Sequence, residues 1–137
     1  MAKTLPQNKT RLYLEGIRAK LEKGWSAKTR DPNWPKSSSR SAGQCAVTAV
    51  LLKELWGGTL VWTDIGGEEH WFNEIIINDR KCEIDLTGDQ FGYPSIQIGK
   101  KNGLYGVATF SVTKSMVSEE LLARVEILKK ESSLRKG

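Results

Sequence analysis

Apolar residues recur at helical spacing in three segments of the chain. The first predicts a helix over residues 9–23 and the second a helix over residues 43–56, each followed by glycine. The third predicts a helix over residues 119–131, for which Ser118 is a favourable N-cap. Beyond it we expect the last residues, from Glu131 onward, to fray.

Short apolar runs bounded by turn residues replace the helical pattern in the middle of the chain, as is typical of strands. Strands are predicted over residues 59–64, 70–77, 81–87 and 110–112. The pair Asn78-Asp79 suits a two-residue hairpin turn between the second and third of these strands. Residues 88–108, which are rich in glycine, are expected to form an extended excursion whose shape the sequence leaves open.

The order of these elements predicts an α+β fold in one domain of 137 residues. A helix that bears Cys45 is expected to pack on a small antiparallel sheet, and a C-terminal helix completes the core. We divide the chain into a basic N-terminal helix and loop (1–42), a core that carries the candidate chemistry (43–112) and the C-terminal helix (116–134).

A long loop over residues 25–42 precedes the second predicted helix and has no hydrophobic period. Loops of this length in a small domain are usually either functional or disordered. This one contains Trp25 and Trp34, and two tryptophans favour a segment that packs down over a cleft.

The net charge of +5 is unevenly distributed. Residues 1–40 carry ten Lys/Arg and three Asp/Glu, whereas residues 41–110 carry five and nine. A basic flank is compatible with a nucleic-acid partner, but no RNA-binding motif or zinc-finger spacing supports one, so a solvated helix face is the favoured interpretation. No apolar run is long enough to span a bilayer, and residues 1–7 lack a secretory signal. We therefore predict a cytoplasmic protein with no membrane partner, and nucleic-acid binding by the basic flanks stays open as the less favoured alternative.

Cys45 lies at the predicted start of a helix, directly after Gly43 and Gln44. The helix dipole and the free amides at such a position favour a thiolate and can donate to a developing oxyanion. His70 is the only histidine, and therefore the only candidate for a histidine base. A cysteine early in an apolar helix is more often a buried side chain than a nucleophile, so both interpretations stay open.

The hairpin register gives an independent test of the site. With Asn78-Asp79 as the loop, His70 and Asp85 are diagonal neighbours on one face of the sheet. A three-residue loop would break this relation. By the same parity Cys82 points to the opposite face, so it is not expected to be the nucleophile. One histidine and two cysteines on different faces do not suit a zinc site, and no calcium-, phosphate- or dinucleotide-binding motif is present, so we predict no metal and no cofactor.

Three blocks of the sequence resemble known families. GQC at 43–45, HWFNEI at 70–75 and EIDLT at 83–87 resemble the Cys, His and Asp blocks of transglutaminase-like proteins, within the papain-like superfamily. The interval of fifteen residues between histidine and aspartate is the expected one, although Trp71 comes one place early and Leu86 replaces the usual proline. More closely, GQCAVTAVLLKELWGG, HWFNEI and EIDLTGDQF together resemble the YunG-like family of small bacterial and phage proteins.

The resemblance implies a compact papain-like core with a Cys-His-Asp site formed by Cys45, His70 and Asp85. Further candidates for the oxyanion or substrate site are Gln44, Trp71, Asn73, Trp34 and Trp25. A structural role for Gln44 is equally open.

The leading hypothesis for function is a cysteine-dependent hydrolase or acyltransferase of the peptidase, amidase or deamidase type. Its substrate would carry an amide or an ester, and proteins are included. The alternative is a catalytically silent binding module that retains the fold and contacts an acidic partner through its basic flanks. The sequence predicts no oligomeric state.

Overall fold

The structure is a computed structural model that describes residues 7–34 and 39–135. Over these residues the chain forms three α-helices, five strands and two short 3₁₀ helices, so the predicted α+β class is confirmed. The elements in chain order are α1 (Gln7–Gly24), α2 (Cys45–Trp56), β1 (Thr59–Ile65), β2 (Glu68–Ile77), β3 (Arg80–Asp85), a 3₁₀ helix (Gly88–Phe91), β4 (Gln97–Lys100), β5 (Phe110–Ser111), a second 3₁₀ helix (Lys114–Met116) and α3 (Glu119–Ser132).

All strand pairs of the sheet are antiparallel, in the order β4-β3-β2-β1-β5. Ile77 pairs with Arg80, so the predicted two-residue turn at Asn78 and Asp79 is confirmed. Both turn residues have positive φ, 53° and 64°, which matches the right-handed twist of the flanking strands and is favoured by short side chains such as these. The turn therefore fixes the register of the hairpin that carries the candidate site.

The two faces of the sheet are covered by different kinds of structure. Leu60, Asn73 and Ile84 share the face on which α2 packs, and the Asn73 side chain donates to the Ala49 carbonyl of α2 at 2.9 Å. Residues that alternate with them, including His70, point to the other face. Aromatic residues of the 3₁₀ helix after β3 and of the loop after β4 cover that second face.

One segment whose shape the sequence left open takes part in the sheet, and one expectation is wrong. Within residues 88–108, Gln97–Lys100 pairs with β3 and extends the sheet. This strand is only four residues long, and pairing with β3 rather than its own hydrophobic period defines it. The tail does not fray over its described part, since Ser133 reverses the chain with φ 61° and Leu134 is buried at 4% exposure.

Arg18 of α1 is nearly buried and joins three parts of the chain. Its guanidinium donates to the Asp89 carboxylate at 2.9 Å and to the Leu86 carbonyl at 2.7 Å, in the turn that follows β3. It also lies over the ring of Trp25, 4.8 Å from the centroid. The Ser41 hydroxyl donates to the same Asp89 carboxylate at 2.6 Å. The N-terminal helix is thereby attached to the segments before α2 and after β3.

We predict that Arg18→Met destabilises the protein by about 3 kcal/mol, because it leaves the partly buried Asp89 carboxylate without its cation. The matched control is Arg11→Met, which removes an exposed pair with Glu15 on the same helix and should cost under about 0.5 kcal/mol. Urea unfolding of both variants measures the difference. Equal losses in the two would contradict the role given to Arg18.

Candidate active site

His70 and Asp85 form a buried hydrogen-bonded pair. The distance between His70 Nε2 and Asp85 Oδ2 is 2.6 Å, and the two residues are 0% and 2% exposed. Thr87 donates to the other carboxylate oxygen through its backbone amide at 2.9 Å and its hydroxyl at 3.1 Å. The Tyr105 hydroxyl donates to Oδ2. Hydrogen bonds of this kind replace the water that a buried carboxylate has lost.

Aromatic rings enclose the imidazole of His70. Phe72 stacks on it with centroids 5.7 Å apart, while Phe91 and Tyr105 meet it edge-on at 4.9 Å and 5.8 Å. These three rings come from β2, the first 3₁₀ helix and the loop after β4. They fix the plane of the ring and exclude water from it.

Cys45 is the first residue of α2 and is 7% exposed. Gly43 precedes it with φ +72°, and a Cβ there would overlap the side chains of Arg30 and Trp34. Only glycine therefore allows this close entry into the helix. Gln44 provides no side-chain cap, so the first amides of α2 are left without that partner. An uncapped helix start suits a thiolate or an oxyanion.

Cys45 approaches His70 from the start of α2. Burial alone would lower the pKa of His70, but the charge and hydrogen bond of Asp85 raise it, and the Cys45 side chain adds a smaller rise, to about 10. Although burial opposes it, His70 also holds the pKa of Asp85 below its usual value. Nδ1 of His70 is buried and has no partner of standard hydrogen-bond geometry. Since Nε2 is bonded to Asp85, Nδ1 is the nitrogen available to the thiol.

A cleft of about 440 Å³ opens beside Cys45. Trp34 and Trp71 are among its walls, and the Trp71 indole donates to Glu69 at 2.7 Å. The carboxylates that line it are Asp31, Glu68 and Glu69. One guanidinium, that of Arg124, lines it too and is paired with Glu120 at 2.7 Å. The cleft is therefore acidic in a chain whose net charge is +5.

The remaining residues singled out from the sequence lie elsewhere. Trp25 is buried and donates to Thr48 of α2 at 2.9 Å, so it packs in the core. The Gln44 amide accepts from Thr29 at 2.8 Å and donates to the Ser26 carbonyl at 3.1 Å, so it is engaged with the loop after α1. Asn73 is engaged with α2, as described above. The side chains of all three residues therefore form structural hydrogen bonds outside the cleft.

Several residues of the site were not predicted from the sequence. Tyr105 and Phe91 lie in the glycine-rich stretch, where nothing in the local pattern points towards His70. Thr87 could have been found, because a threonine two residues after an aspartate is well placed to donate back to its carboxylate. Met116 and Arg124 reach the cleft only through the packing of the C-terminal segment.

In the part of the chain that the structure describes, no helix combines the length and apolar character needed to cross a bilayer.

Comparison with known proteins gives the family. A family model described as "YunG protein" matches residues 13–131, which include α2, the five described strands, most of α1 and α3, and the three residues of the site. The chain belongs to the YunG family. The resemblance that the sequence blocks indicated is thus confirmed at the level of this family.

One curated relative of this YunG-family chain is "Uncharacterized protein YunG" of Bacillus subtilis (strain 168). It is 30% identical over 81 residues, which are 59% of this chain and 65% of the relative. The chain thus spans about two thirds of the length of the curated relative it matches. No solved structure matches the chain. The papain-like character of the core therefore stays a prediction.

We predict that stability falls as the pH rises from 6.5 towards 10. His70 has a pKa of 6.5 when unfolded and about 10 when folded, so its stabilisation is complete below pH 6.5 and is lost on the way to pH 10. The depressed pKa of Asp85 has no effect in this range, because its stabilisation is lost only at acid pH. The free energy of unfolding should decrease by up to about 1.4 kcal/mol per pH unit.

Urea unfolding between pH 6 and pH 10 measures this dependence, and the control is His70→Gln. The variant should lack that part of the decrease. Parallel curves for the two proteins would show that His70 does not hold its proton as described.

Proposed function

We propose that this protein is a cysteine-dependent hydrolase or acyltransferase that acts on an amide or ester. Cys45 is the nucleophile, His70 the general base and Asp85 the group that orients the base. The observation that carries the proposal is the arrangement of His70, whose Nε2 is bonded to Asp85 while Nδ1 is left for the thiol at the start of α2. The three residues come from separate elements, α2, β2 and β3.

In the resting enzyme the proton of the Cys45 thiol already lies on Nδ1 of His70, whose pKa is raised to about 10, so the nucleophile is the thiolate of an ion pair. The sulfur attacks the carbonyl carbon, an S–C bond forms, and the carbonyl electron pair becomes an oxyanion. Uncapped amides at the start of α2 are placed to donate to that oxyanion. As the C–N or C–O bond breaks, His70 protonates the leaving amine or alcohol, and a thioester on Cys45 remains.

In the second half an acceptor attacks the thioester. His70 takes a proton from the attacking water or amine, the tetrahedral oxyanion collapses, and the C–S bond breaks to restore the Cys45 thiolate beside protonated His70. Water gives a hydrolase and an amine gives an acyltransferase. Asp85 stays ionised throughout and stabilises the imidazolium, as its lowered pKa requires.

The cleft favours a neutral or cationic substrate over an anionic one. The carboxylates of Asp31, Glu68 and Glu69 line it, and its single described guanidinium is already paired. Trp34 and Trp71 offer flat apolar surfaces on which the chain of a peptide or an acyl group can pack.

We further infer a place for the chain among the transglutaminase-like proteins of the papain-like superfamily. Support comes from the cysteine at the start of a helix that packs on an antiparallel sheet, and from the histidine and aspartate on neighbouring strands. The interval of fifteen residues between His70 and Asp85 is in accord with this assignment.

We predict that iodoacetamide alkylates native Cys45 at pH 6.5, and that His70→Gln slows the reaction about 10-fold or more, because the thiol loses its base. Both proteins carry Cys82→Ser, which removes the second, partly exposed thiol. Mass spectrometry of the modified peptide gives the rates. A native Cys45 that resists alkylation, or that reacts equally without His70, would favour the silent binding module.

We predict that hydrolysis of activated esters and of small amides falls at least about 1,000-fold in Cys45→Ala, since loss of the nucleophile removes the covalent route. Cys82→Ala is the matched control and should keep the activity of the parent. Substrates with a lysine, glutamine or glutamate beside the carbonyl test the charge of the cleft, and the glutamate compound should be the poorest. Full turnover by Cys45→Ala would overturn the proposal.

A further inference from the structure

We propose that Tyr105 is a positioning residue of the site. Its hydroxyl completes the hydrogen-bond shell of Asp85 and thereby holds the His70 ring in the orientation that presents Nδ1 to Cys45. The inference rests on the proposed function and adds to it a fourth residue, from a loop in which the sequence shows no catalytic motif.

Four hydrogen bonds surround the Asp85 carboxylate and support this role. An ionised carboxylate has about four lone-pair positions, two on each oxygen. Thr87 occupies both positions on Oδ1 with its amide and its hydroxyl. His70 and Tyr105 occupy those on Oδ2. With every position filled by a donor, Asp85 has no room for a proton and no freedom to rotate away from His70.

Gln97 sets the direction of the Tyr105 hydroxyl. Its side-chain amide donates to the Tyr105 oxygen at 2.7 Å, and an oxygen that accepts there turns its own proton towards Asp85. Gly88 makes this approach possible, since a Cβ at that position would overlap the Gln97 amide and lie 2.6 Å from the Tyr105 oxygen. The packing of Gly88 and Gln97 around the Tyr105 hydroxyl therefore favours its hydrogen bond to Asp85.

The loop that carries Tyr105 is held by the sheet itself. Buried Glu83 of β3 accepts from the Asn102 amide at 2.8 Å and from the Leu104 amide at 3.4 Å. Lys101 pairs with Glu74 of β2 at 2.6 Å. Both anchors lie on the strands that carry Asp85 and His70, so the hydroxyl is positioned by the same elements as its target.

The groups that act on the His70–Asp85 pair come from several elements. Cys45 faces it from the start of α2, Thr87 from the turn after β3 and Tyr105 from the loop after β4. Phe72 and Phe91 contribute uncharged rings. A carboxylate that loses one of its donors is harder to ionise, so removal of the Tyr105 hydroxyl should act first on Asp85 and through it on His70.

The test compares Tyr105→Phe with Tyr93→Phe. Tyr93 packs edge-on against Tyr105 at 4.8 Å, is exposed and lies one ring away from the pair, so its variant removes a hydroxyl from the same aromatic cluster without touching Asp85. Carbon-13 NMR of protein with labelled aspartate follows the titration of Asp85. The chain has five aspartates, and the signal that disappears in Asp85→Asn is assigned to Asp85. The alkylation rate of Cys45 at pH 6.5 follows the base.

In Tyr105→Phe we expect the Asp85 titration to move up by about one pH unit and Cys45 alkylation to slow by about 5-fold or more. Tyr93→Phe should change neither. Should Tyr105→Phe not fold, Gln97→Leu frees the direction of the hydroxyl and should shift the titration the same way by a smaller amount. An unchanged titration of Asp85 in the folded variant overturns the inference.

These readouts need no substrate, so they separate this inference from the proposed function. If the titration and the alkylation rate respond as expected but no ester or amide is turned over, Tyr105 positions the pair and the proposed reaction is wrong. If turnover depends on Cys45 but Tyr105→Phe shows the same Asp85 titration and alkylation rate as Tyr93→Phe, the proposed reaction is supported and the role of Tyr105 is wrong.

Discussion

The ionised carboxylate of Asp85, buried to 2% exposure, is the constraint around which the rest of the structure is arranged. A charge in such a place is tolerated only when it is paired and fully hydrogen bonded. The donors come from β2, from the turn after β3 and from the loop after β4, so satisfying one carboxylate requires three segments to meet. The aromatic cage of His70 and the anchoring of the loop by Glu83 are consequences of that requirement.

A second set of polar contacts connects this centre to the cysteine. The 3₁₀ helix after β3 carries Asp89, which binds Arg18 of α1 and the Ser41 hydroxyl. It also carries Gln90, whose side-chain oxygen accepts from the Gly43 amide at 3.1 Å. The segment that leads into α2 is therefore tied directly to the segment that follows Asp85.

Local rules gave the hairpin and the ends of the helices. Asn78-Asp79 is a turn whose chemistry fixes its type, and the parity of a strand then placed His70 beside Asp85. Ser118 caps α3 as its chemistry favours, accepting from the Leu121 amide at 3.0 Å. What could not be predicted depends on contacts between distant segments. Strand β4 exists because β3 offers it an edge, and Tyr105 reaches Asp85 through a loop that Glu83 holds, twenty-one residues away at Leu104. Helix position and family resemblance both pointed to Cys45, but spacing alone could not have brought it to His70.

The enclosure of His70 has a consequence for the path of the proton in the proposed reaction. The imidazole is 0% exposed, with Asp85 at one nitrogen and aromatic rings around its faces and edges. A proton taken from the thiol therefore has no route to bulk water except back through the cleft. The leaving group would receive the same proton that Cys45 gave up, before exchange with solvent can replace it. The proton would then pass only between Cys45, His70 and the leaving group. Exchange with solvent would resume when the water or amine acceptor enters the cleft.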